Sequence, residues 1–392
     1  MISLPLFTYL KNKFSMLFKD IIGQEEIKKK LIKTVKENRV SHAQLFSGPE
    51  GVGSLPLAIA YAQYISCENR SGNDSCGTCH SCLKYSKLIH PDLHFILPVA
   101  STPKVKEPLT DKFLVEWRVS FIKNPYLNPT EWYKAIGLEN KQGFINVAES
   151  NEIIRKLSLK SYESEYKVVI IWLPEKMNKS AANKLLKIIE EPPSKTLFLM
   201  VTENSTNILP TIYSRVQVIR IPKLEEAEIL LNLQQGFDFE EVKMKDAAHL
   251  ADGNYLKALN VLERAEENQL HFEKFRALMR LCWTNEIGGI LNWVEEIARK
   301  GRESQKQFLD YGLRIIRENF FININKVISD EINRMTQYES DFSVNFSKFI
   351  NKDNVFGITN EFNQASLHIG ANANGKIVFL DMVNKLAKLI KK

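Results

Sequence analysis

AQLFSGPEGVGSL, residues 43–55, is the stretch whose reading decides the fold. Ala43 to Ser47 has strand character and runs directly into the turn Gly48-Pro49-Glu50-Gly51-Val52-Gly53. A helix is expected next, from about Leu55 to Ile65. Strand, glycine turn and helix is the order a phosphate-cradling loop requires. The glycines let backbone N–H groups face an anion, and the helix N-terminus adds partial positive charge. A working nucleotide loop reads GxxxxGK[ST], where the lysine neutralises terminal phosphates and the hydroxyl holds magnesium. Here the glycines are kept, but Ser54 and Leu55 follow them, and Pro56 falls in the first helical turn. Gly48, Gly51 and Gly53 are therefore candidate cofactor-binding residues of a degenerate loop, with weak or no nucleotide binding and no hydrolysis expected.

Working outward, Gln24 to about Glu37 carries Ile27, Leu31, Ile32 and Val35 on one helical stripe. A short strand is expected around His94–Leu97, a helix over Val147–Leu157 and a buried-type strand over Lys167–Trp172. A helix over Ala181–Glu191 stops at Pro192-Pro193, and strands follow at Thr196–Thr202 and Val216–Ile221. Strands alternating with helices imply a mostly parallel sheet covered on both faces. A magnesium-binding strand would end in two acids. This one ends Ile171-Trp172-Leu173-Pro174, and Glu175 is read as lying too far along. Residues 99–140 have weak periodicity, several prolines, and Trp117, Trp132 and Tyr133. They read as a partly helical excursion on the domain surface, its aromatics packing locally rather than forming a contact patch. Past Pro222 the strand signal ends. Leu224 to about Arg264 is a small helical unit, and the chain is helical from about Leu270 to its end.

The chain of 392 residues exceeds one ordinary core, so two or three domains are expected. Hydrophobic residues make up 44% and charged residues 25%, which excludes a disordered or collagen-like chain. No apolar run reaches the roughly 18 residues of a membrane helix, and the opening MISLPLFTYLKNKF lacks the basic start and cleavage site of a secretory signal. A cytoplasmic protein is expected. Met16 offers a second start, with residues 1–15 as an N-terminal extension. The formal charge of +7 permits contact with polyanions without defining a nucleic-acid coat.

Four of the five cysteines, Cys67, Cys76, Cys79 and Cys82, fall in the spacing C-x8-C-x2-C-x2-C. Thiolates two residues apart can grip one tetrahedral ion, and four close the shell. A structural zinc site is the reading, with two disulfides or an iron–sulfur cluster as alternatives and His80 and His90 as nearby substitute ligands. Cys282 sits on an apolar helical stripe and reads as core. A zinc-dependent nucleic-acid binder would need more than the thin patch of Lys84, Tyr85 and Lys87.

DIIGQEEIKKKL (20–31), SHAQLFSGPEGVG (41–53), the cysteine module, NKLLKIIEEPPSKTLFLMVTEN (183–204), ILPTIYSRVQ (208–217) and ADGNYLKALN (251–260) together resemble one family. It is that of the clamp-loader subunits of bacterial DNA polymerase III, within the AAA+ superfamily, and among them the delta-prime type. The C-terminal third resembles it only in helical character and weakly in NANGKIVFLDMVNKL (372–386). The resemblance implies an α/β AAA+ core over 16–222, with a P-loop-type parallel sheet, a zinc module (67–82) and the excursion (99–140). A helical lid (223–268) and a helical collar for oligomerisation (269–392) follow.

It further implies a stator-like, non-hydrolysing subunit that helps place a sliding clamp on primed DNA. The partners implied are gamma/tau-type motor subunits, which bind the ATP, and a delta subunit. Arg215, after Ser214, matches the Ser-Arg-Cys motif that projects an arginine finger into a neighbour's ATP site, with Val216 replacing the cysteine. A guanidinium suits that task through its planar fork and permanent charge. Leu256 and Asn207 stand where motor subunits carry nucleotide-sensing cations. The alternative is an active AAA+ ATPase of the motor type.

Overall fold

The computed structural model describes residues 15–138, 141–325 and 335–391; residues 1–14, nearly all of the expected N-terminal extension, lie outside that set. The chain forms two compact units. The first takes the residues through Met244 together with Ala251–Leu259, and the second takes Lys245–Leu250 and the residues from Asn260 onward.

The first unit is built on five strands: β1 (Ala43–Ser47), β2 (Leu93–Ile96), β3 (Lys167–Trp172), β4 (Thr196–Thr202) and β5 (Gln217–Arg220). Their spatial order is β2-β3-β4-β1-β5, and every pairing is parallel. Parallel strands need crossover helices on the sheet faces, so central strands are buried on both sides and read as unbroken apolar runs. β3, KVVIIW, is buried at every position, as is β4.

Side chains alternate between two cores. Phe46, Val168, Ile170, Leu197 and Leu199 face one, which they share with α1 (Glu25–Lys36) and α2 (Ser54–Ser66). The short α3 (His80–Tyr85) carries Cys82 and sets Tyr85 into the same core. Val169, Ile171, Phe198 and Met200 face the other core.

The excursion departs from its sequence reading. It contains α4 (Leu114–Lys123) and α5 (Pro129–Ala135), and it is an integral wall of the first core rather than a surface feature. Trp117 and Trp132 are fully buried and meet edge to face at 5.4 Å, while Trp117 also lies 5.3 Å from Trp172 of β3. The Trp132 indole donates to the Pro98 carbonyl at 2.9 Å, which meets the requirement that a buried Trp N–H find a partner. Burial of such aromatics is worth several kcal/mol each, which outweighs the weak local periodicity.

On the opposite face lie α6 (Val147–Ser158), α7 (Lys179–Glu190) and the one-turn α8 (Pro210–Tyr213). Asn146 and Asn178 cap α6 and α7 through their side chains, which explains where these helices start. Lys167 at the start of β3 is buried and donates to the Leu157 carbonyl at 2.7 Å and to that of Leu159, capping the end of α6.

Three helices follow: α9 (Glu226–Gly236), α10 (Glu241–Ala251) and α11 (Tyr255–Glu263). The second unit then runs through α12 (Ala265–Thr284), α13 (Ile287–Ala298), α14 (Arg302–Asn325), α15 (Gln337–Phe346), α16 (Val355–Gly370) and α17 (Gly375–Leu389). Its core is rich in aromatics, among them Phe275, Phe308, Phe362 and Trp293, and it includes Cys282, fully buried as expected. Glu339, almost fully buried, accepts from Tyr311 and pairs with Arg314, so its charge is matched where water cannot reach it.

Candidate functional site

The glycine turn lies at the carboxyl end of β1, where ligands of open parallel sheets bind. Gly51 and Gly53 adopt φ of +76° and +87°, a region that costs an L side chain about 1–2 kcal/mol. Gly53 caps α2, whose residues are buried along the whole helix. The helix start is poorer in donors than a phosphate site needs, because Pro56 at its third position has no N–H.

The space over the turn is taken by the chain itself. A Cβ on Gly51 would come within 1.9 Å of Asn254 Oδ1, and one on Gly53 within 3.0 Å of the Tyr126 ring. The Tyr255 amide donates to the Gly51 carbonyl at 3.1 Å, and Asn254 Nδ2 donates to Glu50 at 3.3 Å. Tyr126, from the excursion, lies 5.1 Å from the Tyr255 ring, and its hydroxyl accepts the Ile22 N–H at 2.9 Å. The remaining cavity beside Gly51, Gly53 and Ser54 holds about 30 Å³, the share of a single water and far below a triphosphate.

Glu175 lies just beyond the end of β3. Leu173 takes a left-handed conformation (φ +58°), and a 3-10 turn over Pro174–Lys176 brings the Glu175 carboxylate back to accept from Thr202 Oγ1 at 2.9 Å. Burial raises the Glu175 pKa. Burial, then the Glu50 and Glu175 charges, push Glu203 to about 7. Glu50, Glu175 and Glu203 thus lie close enough for Glu203 to feel the other two charges. Leu256 is buried and Asn207 is exposed in a 3-10 turn.

Sequence reading missed Tyr126, Asn254 and Glu203. Asn254 had a local signal, since Asp252 and Gly253 before it both take positive φ (+52° and +80°) and turn it onto Gly51. Tyr126 had none beyond the Pro125 turn, because its partners lie about a hundred residues away in either direction.

Arg215 follows α8 at the edge of the same unit. Its Nε donates to Glu190 at 2.9 Å and its Nη1 donates to the Thr211 carbonyl at 3.0 Å. Ser214 Oγ donates to the Thr211 carbonyl at 3.3 Å and lies 3.4 Å from Arg215 Nη1. The guanidinium is one third exposed, and no hydrogen bond to its Nη2 is found among the described residues. It is held at Nε and Nη1.

The four cysteines converge. Their sulfurs all lie within 4.8 Å of one another, with Cys67–Cys76 at 3.6 Å and Cys76–Cys82 at 3.9 Å. A tetrahedral ion with sulfur ligands at about 2.3 Å sets neighbouring sulfurs about 3.8 Å apart, whereas a disulfide needs about 2.0 Å. The donor set therefore fits a metal ion, and all four thiols are free. Backbone N–H groups of Cys76, Cys79 and Cys82 point at the Cys67, Cys76 and Cys79 sulfurs, which favours thiolates. The Thr78 amide leads in lowering the Cys76 pKa to about 6, while burial raises those of Cys67 and Cys82. His80 is exposed and His90 is buried against the Tyr85 ring at 4.8 Å, and neither joins the cluster.

A parallel sheet of order β2-β3-β4-β1-β5 with a glycine turn after β1 is a P-loop-type scaffold. The family model described as DNA polymerase III, delta subunit, matches residues 23–225, more than half of the chain, and the chain belongs to that family. It is 29% identical over 255 residues to DNA polymerase III subunit delta' of Haemophilus influenzae, covering 64% of this chain and 63% of that one. It is 25% identical over 253 residues to DNA polymerase III subunit gamma of Buchnera aphidicola (subsp. Acyrthosiphon pisum), covering 63% of this chain and 58% of that one. The chain thus spans less than two thirds of these relatives' own length. Among solved structures, a DNA polymerase III gamma subunit-related protein of Thermotoga maritima aligns with a TM-score of 0.35 at 16% identity, covering 93% of this chain and 99% of that one.

Proposed function

We propose that this protein is a clamp-loader subunit of the delta-prime type. It helps place a sliding clamp on primed DNA within the DNA polymerase III assembly, and it does not hydrolyse ATP. The observation that carries this reading is the glycine turn closed by Tyr126, Asn254 and Tyr255, with a water-sized cavity left. Serine and leucine in place of lysine and hydroxyl, and Trp172-Leu173 in place of the acids, support it. Similarity to both delta' and gamma proteins fits the clamp-loader class without choosing a subunit.

In this reading residues 223–268 act as a lid and 269–392 as a collar that packs against gamma/tau-type motor and delta subunits. The four cysteines hold a structural zinc ion that ties the Cys67 end of α2 to α3. Arg215, braced by Glu190 and Thr211, offers its free edge to the ATP of a neighbouring motor subunit, where a fixed cation stabilises charge spreading over the γ-phosphoryl oxygens.

The test is reconstitution with motor subunits, delta subunit, clamp and primed DNA. Arg215→Ala should lower DNA-stimulated ATP turnover and clamp loading by about a hundredfold or more at the dependent site, with assembly intact by gel filtration. The isolated chain should show no turnover. Unchanged loading with Arg215→Ala refutes the finger. Turnover by the isolated chain that is lost on changing Gly51 or Gly53 establishes the motor-type alternative instead.

A further inference from the structure

The second unit carries a concavity of about 320 Å³ between α12, α15 and the end of α17, within the range of ligand pockets, which run from about 300 to 1,000 Å³. Its floor is apolar: Met279, Phe346 and Ile390 are each almost fully buried. One wall is Trp283, about half exposed, with its ring set edge to face against Phe349 at 5.0 Å. The other four tryptophans of the chain are buried, so this one stands out as a large aromatic held open to solvent.

The rim is cationic. Arg276 and Arg280 lie one helical turn apart on α12, both exposed, and no acidic residue lines the concavity. Arg276 is paired with Glu273 at 2.5 Å, while Arg280 has no ion pair among the described residues. An apolar floor rewards a large hydrophobic side chain, and the rim rewards carboxylates set beside it. A phosphate backbone suits this shape poorly, since Arg276 and Arg280 alone do not make the continuous basic track that tracking a backbone needs.

We propose that this concavity is a docking site for an acidic peptide segment of another protein, one that places a leucine or phenylalanine next to carboxylates. The apolar side chain fills the floor beside Trp283, and the carboxylates reach Arg280 first and Arg276 second. The inference uses only the second unit and does not depend on the reading of the glycine turn.

Trp283 makes the test direct, because its emission reports the concavity while the buried tryptophans stay constant. The full chain is titrated with acetyl-Glu-Asp-Leu-Phe-Asp-amide, with acetyl-Lys-Lys-Leu-Phe-Lys-amide and with single-stranded oligothymidylate. The acidic peptide should shift the emission to shorter wavelength in a saturable way, and the basic peptide should not. Arg280→Glu should weaken the acidic peptide by about tenfold or more, while Arg302→Glu, on α14, leaves it unchanged. Both positions are exposed, so unchanged melting curves are expected and are checked first. The proposal is overturned by no response to the acidic peptide up to about 1 mM, by equal binding of the basic peptide, or by binding of oligothymidylate alone in an Arg280-dependent way. A concentration-dependent shift of the chain by itself, matched by dimer formation in sedimentation, overturns it in favour of a second copy as occupant.

Discussion

Removing Tyr126 tests whether the chain has replaced a nucleotide with its own side chain. The ring is nearly buried, packs tilted against Tyr255 and covers Gly53, and its hydroxyl accepts the Ile22 N–H. Tyr126→Phe deletes only the acceptor. It leaves the buried Ile22 N–H unpaired, at a cost of about 1–3 kcal/mol. Tyr126→Ala adds the aromatic cavity term of about 3–5 kcal/mol and the loss of the ring pair, about 0.5–1.5 kcal/mol. These costs fall on one region, so hydrogen exchange resolved by peptide is the assay. Amide protection around residues 20–24 and 251–256 should fall about tenfold to a hundredfold in Tyr126→Phe, at about 1.4 kcal/mol per tenfold, and further in Tyr126→Ala. The same samples are then given Mg–ATP. A ligand at a hundred times its Kd adds about 2.7 kcal/mol of protection; the unmodified chain should gain none. Protection by Mg–ATP in the unmodified chain, or Tyr126→Phe exchanging like the unmodified chain, refutes the reasoning.

Two further outcomes follow from the same geometry. Glu149 is buried, accepts the Thr110 amide, and burial lifts its pKa from 4.5 to about 7. The folded state therefore binds the proton more tightly than the unfolded chain. Stability is highest below about pH 4.5 and falls by about 3 kcal/mol as pH rises through 7. Glu149→Gln keeps the acceptor and should be the more stable protein at pH 8, by about 2–3 kcal/mol; parallel denaturation curves across pH 5–8 would count against this. Purified protein should carry about one zinc ion per chain by mass spectrometry, and Cys79→Ser should lose it and unfold the 67–85 segment to proteases. Full metal occupancy in that variant would exclude Cys79 as a ligand.

The parts of the fold legible in sequence are those whose signals are local. β3 and β4 announce themselves as unbroken apolar runs because helices cover both faces, and α7 declares its end through Pro192-Pro193. The cysteine cluster was legible because ligand spacing is itself local chemistry. The excursion was not. Its aromatics sit at no regular period, and their burial depends on Phe95 and Trp172, contributed by other strands. The place of Glu175 was hidden for a related reason: the left-handed Leu173, after which its carboxylate meets Thr202, has no signature in a leucine.

The excursion's double duty has a consequence for how this gene can change. Residues 113–133 wall the core through Trp117 and Trp132 and close the glycine turn through Tyr126. A segment that looks like a tolerant insertion is therefore under the selective regime of a central strand. Length changes there should be purged, and substitutions at Trp117, Tyr126 and Trp132 should be confined to other large aromatics. On the proposed reading, a lysine restored at position 54 would still face a turn closed by Tyr126, so the tyrosine rather than the missing lysine would hold the subunit in its non-hydrolysing role.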